Sequence, residues 1–552
     1  MKSRILIISI LLVFVATVAN GQSHNEQVTV EGSYRPQIKR SERISKTPEA
    51  PANEFKIPDY KAEAKDFSYG YNMEVETMSA LSYKADYGVE SKNNFLKAGF
   101  GTRLSPVFLF RHYSDVSRNM SLGVGVSHFS SWLDLNEYKK SSFMNNAFNV
   151  MAVNKFKGGQ LRSFADYKYD MYHLRANIDN PNGRNIHSLN LGAKWIASGT
   201  SYRSFYNTLG ADYRATWIMG GTVEHQLNAN FHFAYSDNWI SDKSVDDLQT
   251  IATDVDLNYN NIDQSQLLIA VNPRFNMSGE FYHLHAGLRL DMKTGGKLSI
   301  YPDVTGSIFI LDNMLEFYAK LGGRSKINTF ADAVAENPFV TNDFSAFSEF
   351  GYEKTAFEFQ GGLKMKIANN IDAHAGVRYR NIKNSVFYVP DPDYYAQYDE
   401  DATLYHLQAF DLIFMDYNVV NVLADVRWKA MEKLDVAAEL SINSYALKNT
   451  TEEHPWYKPA FTMSLRGDYQ LDETWKFNTG MTLIGKRWAK NLDGDSESLK
   501  PAFDFQLGAD YKIQQDLAAF VEIHNVFHQK YQLFYNYPSA GFELFVGLKY
   551  RF

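Results

Sequence analysis

The sequence predicts an all-β protein: a transmembrane antiparallel β-barrel of about 22 strands with a short extended segment at its N-terminus. Three observations carry this prediction. The 552 residues include 35 Tyr and 39 Phe against 15 Pro, which favours strands and membrane interfaces over helices. From residue 93 onward, apolar and polar residues alternate with period two over stretches of about ten to fifteen residues, longer than the strands of a soluble sheet. The connections between these stretches are alternately short and long, as when turns lie on one side of a membrane and loops on the other.

The first element is a targeting segment. Lys2 and Arg4 precede an apolar run from Ile5 to Ala19, with small residues at Ala19 and Gly21 before Gln22, so residues 1–21 read as a secretory signal peptide. Residues 22–92 read as an N-terminal periplasmic or luminal segment. It holds Val28-Thr29-Val30-Glu31, a basic run of Lys39, Arg40, Arg43 and Lys46, and then Pro48, Pro51 and Pro58. It is too polar and too often interrupted by proline to build a core alone.

Residues 93–552 are the predicted barrel. In the last strand Phe542, Leu544, Val546, Leu548, Tyr550 and Phe552 share one face, with Glu543, Gly547, Lys549 and Arg551 on the other; Phe545 breaks the pattern. The same two faces recur in Phe503, Phe505, Leu507, Ala509, Tyr511 and Ile513, and in Val420, Val422, Ala424, Val426 and Trp428. Trp428, Trp475, Trp488 and Tyr511 fit a girdle at the bilayer interface. Short turns are expected at 311–313, 368–370, 431–433, 472–474 and 514–516, and long loops near 326–354, 389–418, 449–455 and 489–497. Residues 237–263 are the least regular stretch; without that hairpin the count falls to about 20.

Composition excludes several function classes. A net charge of −7 gives no basic field for a polyanion, so no nucleic-acid partner is expected. With no cysteine there is no disulfide, thiolate chemistry, Cys-bound metal or lipoprotein anchor. No segment after the signal approaches the run of about 18 apolar residues that a spanning helix needs. An exported chain with this texture is expected in the outer membrane of a Gram-negative cell, surrounded by outer-membrane lipid.

Chemistry-bearing clusters are sparse. His283 and His285 flank Leu284, so both rings lie on one side of a strand, as two metal ligands would; two lumen-facing polar residues are the blander reading. Asp391, Asp393, Asp399, Glu400 and Asp401, and the run Asp493-Gly494-Asp495-Ser496-Glu497, offer hard oxygen ligands for Ca²⁺ but lack EF-hand spacing. No nucleophile and base are paired locally, so neither catalysis nor a cofactor is expected.

Asn525-Val526-Phe527, Lys530-Tyr531, Tyr537-Pro538, Gly541 and the closing strand to Phe552 resemble the last hairpin of TonB-dependent outer-membrane receptors. Here Phe542 follows Gly541, where that family has Arg. The resemblance implies a 22-strand barrel, and a C-terminal signal at Tyr550 and Phe552 read by the barrel-assembly machinery. Only about 70 residues lie between the signal peptide and the first confident strand, too few for that family's complete plug. The best-fitting group is therefore the plugless TonB-receptor-like barrels of the Bacteroidota. Val28, Thr29, Val30 and Glu31 resemble a TonB box, which implies TonB as a partner.

A barrel this wide leaks unless something fills it. The candidates are the N-terminal segment, the loops near 326–354 and 389–418, or a partner protein. Two functions follow: a component of transport across the outer membrane, or a non-transporting barrel that scaffolds an outer-membrane protein or lipoprotein complex.

Overall fold

The computed structural model describes residues 93–132, 140–175, 184–197, 204–219, 221–236, 248–279, 281–310, 314–341, 351–391 and 410–552. All fall in one compact unit, Ser68–Phe552. The strands are β1 (Asn94–Gly101), β2 (Ser105–Ser117), β3 (Met120–Ser131), β4 (Lys140–Phe156), β5 (Gly159–Arg175), β6 (Arg184–Ala197), β7 (Ser204–Ile218) and β8 (Val223–Ser236). They continue with β9 (Leu248–Asn261), β10 (Ser265–Ser278), β11 (Tyr282–Lys293), β12 (Lys297–Ile310), β13 (Leu315–Ile327), β14 (Tyr352–Ala368), β15 (Ile371–Pro390), β16 (Phe410–Met431) and β17 (Leu434–Lys448). The last are β18 (Phe461–Gln470), β19 (Trp475–Ile484), β20 (Arg487–Lys490), β21 (Ser496–Leu499), β22 (Ala502–Gln514), β23 (Leu517–His524), β24 (Gln532–Phe534), β25 (Tyr537–Pro538) and β26 (Glu543–Arg551). Helix α1 is Phe330–Glu336.

Among the described residues, 22 of these strands form one antiparallel sheet that closes on itself, β1 pairing with both β2 and β26. β20 with β21, and β24 with β25, are small hairpins inside loops. The irregular stretch after Ser236 returns as β9, fully paired with β8 and β10, so the hairpin in doubt belongs to the wall. The chain enters at Asn94 beside Phe552; this edge is the turn end, and the opposite edge is the loop end.

Alternation sorts the side chains as the sequence predicts. Val420, Val422, Val426 and Trp428 point outward and are exposed, while Asn421 between them is buried on the inner face. Val546, Leu548, Tyr550 and Phe552 likewise point outward. An apolar band of this extent in water would far exceed the patches that soluble proteins tolerate, and it suits a bilayer. Trp475 and Tyr511 meet on that face at the turn end, ring centroids 4.8 Å apart. Trp488 does not join this girdle. It sits in the loop hairpin, stacked on His454 at 4.0 Å with Lys486 Nζ 3.8 Å from the ring.

Strand length varies around the ring. β1 has 8 residues and β26 has 9, whereas β15 has 20 and β16 has 22. A tilted strand needs about 9–11 residues to cross a membrane, so β15 and β16 continue well past the wall at the loop end. The long loop expected near 389–418 is accordingly shorter than the sequence suggests. Pro390 ends one strand and Phe410 begins the next, because the aromatic residues there pair as a hairpin with both faces covered.

The closing seam rests on small residues. Gly547 lies opposite both Gly99 and Phe520, and the Phe520 ring lies across both glycines; a Cβ on either would come within 2.6 Å of it. Lys97 and Lys549 stand over this ring at 4.5 and 5.4 Å. They also bind Glu522 at 3.0 Å and Asp510 at 2.8 Å, so the seam's inner charges are paired. Phe545, the exception to the alternation, is buried at the loop end of the same seam, where Gly101 leaves room for its ring and Phe129 and His524 flank it.

Replacing Gly547 with Val is expected to block closure, because the added atoms meet backbone of β1 as well as Phe520. The measurement is the heat-modifiable, folded band of the protein on SDS gels. That band should be largely lost, and wild-type amounts of it would contradict this account of the seam.

Candidate functional site

The loop end of the lumen is crossed by the segment 328–341, which follows β13. Its helix α1, Phe-Ala-Asp-Ala-Val-Ala-Glu, is rich in alanine, a strong helix former, and starts at an N-cap, Thr329, whose side chain accepts the Asp332 N–H. It stops at Asn337, where the backbone leaves helical geometry and the side chain accepts the Phe339 N–H at 3.0 Å. Val340 then forms a parallel bridge to Phe410, stitched by bonds from Thr341 N to Phe410 O and from Phe410 N to Phe339 O.

Both ends of this strap are held, on different sides of the ring. At its start the Glu224 carboxylate, from β8, accepts the Phe330 and Ala331 backbone N–H groups at 2.8 Å each and the Gln226 amide at 3.0 Å. Glu224 is fully buried, so these donors stand in for the water its carboxyl oxygens would otherwise bind. At its far end Glu336 accepts from the Tyr388 hydroxyl of β15 at 3.1 Å and from Lys458 Nζ at 3.0 Å. Phe339 packs edge-on against Tyr172 of β5 and stacks at 3.7 Å on Tyr537, from the loop between β23 and β26. Strands β8, β15 and β26 are widely separated around the ring, with β5 between β26 and β8. One segment that touches all four regions must run across the mouth.

Other loops complete the cap. Phe410 is fully buried and packs against Tyr457, Phe534 and Tyr537 at 5.6–5.9 Å. Trp456, Tyr388, Phe387 and Ala489 lie in the same apolar cluster, which also takes in Ile186, Ile218 and Ile262 from the opposite rim. Arg487 is buried too; its guanidinium donates to Leu533 O at 3.0 Å and Gln532 O at 2.6 Å and ties the loop hairpin to the loop before β26. Lys490 binds Glu452, which accepts the Trp456 indole N–H at 2.8 Å. Burial in this cluster pushes the Tyr457 phenol up from its ordinary pKa. The cap therefore has an aromatic interior with its charges paired inside it.

The clusters singled out in the sequence have local roles. His285 meets Asp303 at 3.0 Å, with Asn272 on the same carboxylate at 2.7 Å, while His283 packs edge-on to Phe309; the two rings serve separate contacts on the inner wall. Asp493, Gly494 and Asp495 lie in the tip of the β20–β21 hairpin, where Asn491 Oδ1 accepts the Asp495 N–H and Gly494 takes a positive φ of 89°, while Ser496 and Glu497 begin β21. Asp391 ends the described part of its loop; Asp393, Asp399, Glu400 and Asp401 lie outside the described residues, as do Val28, Thr29, Val30 and Glu31. Tyr550 and Phe552 stack on each other at 4.9 Å on the outward face of the turn end. Sequence reading missed Glu224, Arg487 and the strap helix. The helix had a signal, Thr329 followed three residues later by Asp332, but the two buried charges had none that separates them from ordinary inner-wall polar residues.

Truncating Phe410 to Ala is expected to cost the cap about 3–5 kcal/mol while leaving the wall intact. Limited proteolysis of the folded protein should then cut within 328–341 or 525–542 at doses that spare the unaltered chain. Equal resistance would show that Phe410 does not hold the cap.

No family model matches the sequence, and no curated protein is detectably similar to it. Its fold does match solved structures. The copper transporter OprC aligns with a TM-score of 0.59 at 12% identity over 84% of this chain and 83% of its own. The ferric-catecholate import receptor Fiu of E. coli K12, in its closed form, gives 0.61 at 9% identity over 84% and 82%. The FrpB iron transporter of Neisseria meningitidis gives 0.61 at 10% identity over 84% and 82%. The chain shares the barrel fold of these proteins, in keeping with its TonB-receptor-like C-terminus.

Proposed function

We propose that this chain is an outer-membrane barrel of the TonB-receptor type that serves transport, with a wide lumen gated at the loop end by its own loops. The cap is the observation that carries this reading. A 22-strand wall encloses far more space than its side chains can fill, and a strap held at Glu224 of β8 and Tyr388 of β15 reaches across its mouth. The fold shared with metal and iron-chelate transporters supports the reading at the level of architecture.

In this account the turn end faces the periplasm and the loops face outward. The segment carrying Val28, Thr29, Val30 and Glu31 is the energy-coupling handle offered to TonB, and Tyr550 and Phe552 are the strand-end signal for the barrel-assembly machinery. Deleting residues 22–66 from the mature chain is expected to abolish growth on one solute as sole source while the barrel still inserts. If the deletion instead releases a stoichiometric lipoprotein or machinery subunit, seen by mass spectrometry after gentle extraction, with growth unchanged on every solute tried, the barrel is a scaffold and the transport reading is wrong. Changing Phe552 to Ala should lower the amount of folded barrel in outer membranes without altering the barrel that does assemble; unchanged amounts would remove Phe552 from the signal.

A further inference from the structure

We infer that Glu224 is a release latch and that the cap opens by swinging the strap 329–341 away from β8 about a hinge at β15 and β16. This rests on the gated-lumen reading but concerns which contact yields first.

The two anchorages differ in kind. At the hinge the strap is joined to the wall by a backbone bridge, Val340 to Phe410, and by stacked rings of Phe339 and Tyr537, and its last helical carboxylate is held by Tyr388 and Lys458. Freeing that side strips a β-bridge and exposes a large aromatic surface to water, which is costly. At the latch the strap rests on a polar row of the inner wall. Register places Thr216 opposite Glu224, and Gln226 and Gln266 both opposite Asn260, on adjacent strands β7 to β10. All five are buried, and the side-chain oxygens Thr216 Oγ1, Asn260 Oδ1 and Gln266 Oε1 have no hydrogen-bond partner within the protein while the strap is down. Lifting the strap lets water reach these oxygens and the Glu224 carboxylate, so the hydrogen bonds lost there are replaced and unmet ones are gained. Among the described residues, Ile186, Ile218 and Ile262 and the edge-on contact of Phe339 with Tyr172 oppose that release from the same rim, a smaller apolar contact than the aromatic cluster at the hinge. The polar seat is therefore the side that lets go.

The chain has no cysteine, so a single introduced thiol reports one position. Ala331→Cys places it at the latch and Val340→Cys at the hinge; both sites are buried. In whole cells a membrane-impermeant maleimide should label both slowly. Adding Glu224→Gln, which keeps one acceptor but removes the charge, should speed labelling at 331 by about tenfold and leave 340 slow. Adding Lys458→Met, on the hinge side, should not speed labelling at 331. Unchanged labelling at 331 in the Glu224 variant overturns the latch, and equal acceleration at both thiols overturns the hinge. The heat-modifiable band confirms a folded wall in each variant, and Glu224→Asp, which keeps the charge on a shorter stem, replaces Glu224→Gln if that band is lost. None of these rates depends on a transported solute, so loss of the latch and loss of the transport reading are separate results.

Discussion

The constraint on which everything else depends is that a sheet immersed in lipid has no water with which to satisfy an open edge. This chain meets it by pairing β26 with β1 over the run from Phe95 opposite Arg551 to Gly101 opposite Phe545. The seam is made from two short strands of the wall, and it holds because Gly99 and Gly547 let the two backbones and the Phe520 ring lie close together. The inner charges of Lys97, Lys549, Glu522 and Asp510 then neutralise one another over that ring. Closure is thus a matter of side-chain volume as much as of hydrogen bonding.

Closure of so many strands creates the second problem, an enclosed space too wide for wall residues to fill. The described loops reach into that space from several parts of the ring. The tall hairpin of β15 and β16 lifts Phe387, Tyr388 and Phe410 above the wall, where they form the floor for loops arriving from other parts of the ring. The strap crosses from there to Glu224, and Arg487 fastens the loops to one another. The strap is thus held by a carboxylate with two backbone donors at one end and by an aromatic cluster at the other.

How much of this the sequence shows depends on whether a segment has one buried face or two. Where one face meets lipid and the other the lumen, as in Val420 to Trp428 or Leu544 to Phe552, alternation reads directly and both the strands and their direction are recovered. The pattern fails where both faces are covered. Phe387 and Tyr388 are adjacent and both buried, so the hairpin tip looks like an aromatic loop. Trp488 looks like a girdle residue because an interfacial ring and a ring buried in a cap have the same composition signal. Phe545 breaks alternation because Gly101, far away in sequence, leaves it a place inside. Glu224 is invisible for the same reason: its role is set by a helix more than a hundred residues later.

On the transport reading, this wall spans a bilayer and its own cap closes its lumen. Single-channel conductance in planar bilayers tests it most directly, comparing the full chain with one in which residues 329–341 are replaced by a short Gly-Ser linker. The full chain should be silent, and large, steady currents should appear once the strap is gone. Currents of the same size from both would show that the cap does not seal the mouth, and silence from both would place the closure elsewhere in the lumen.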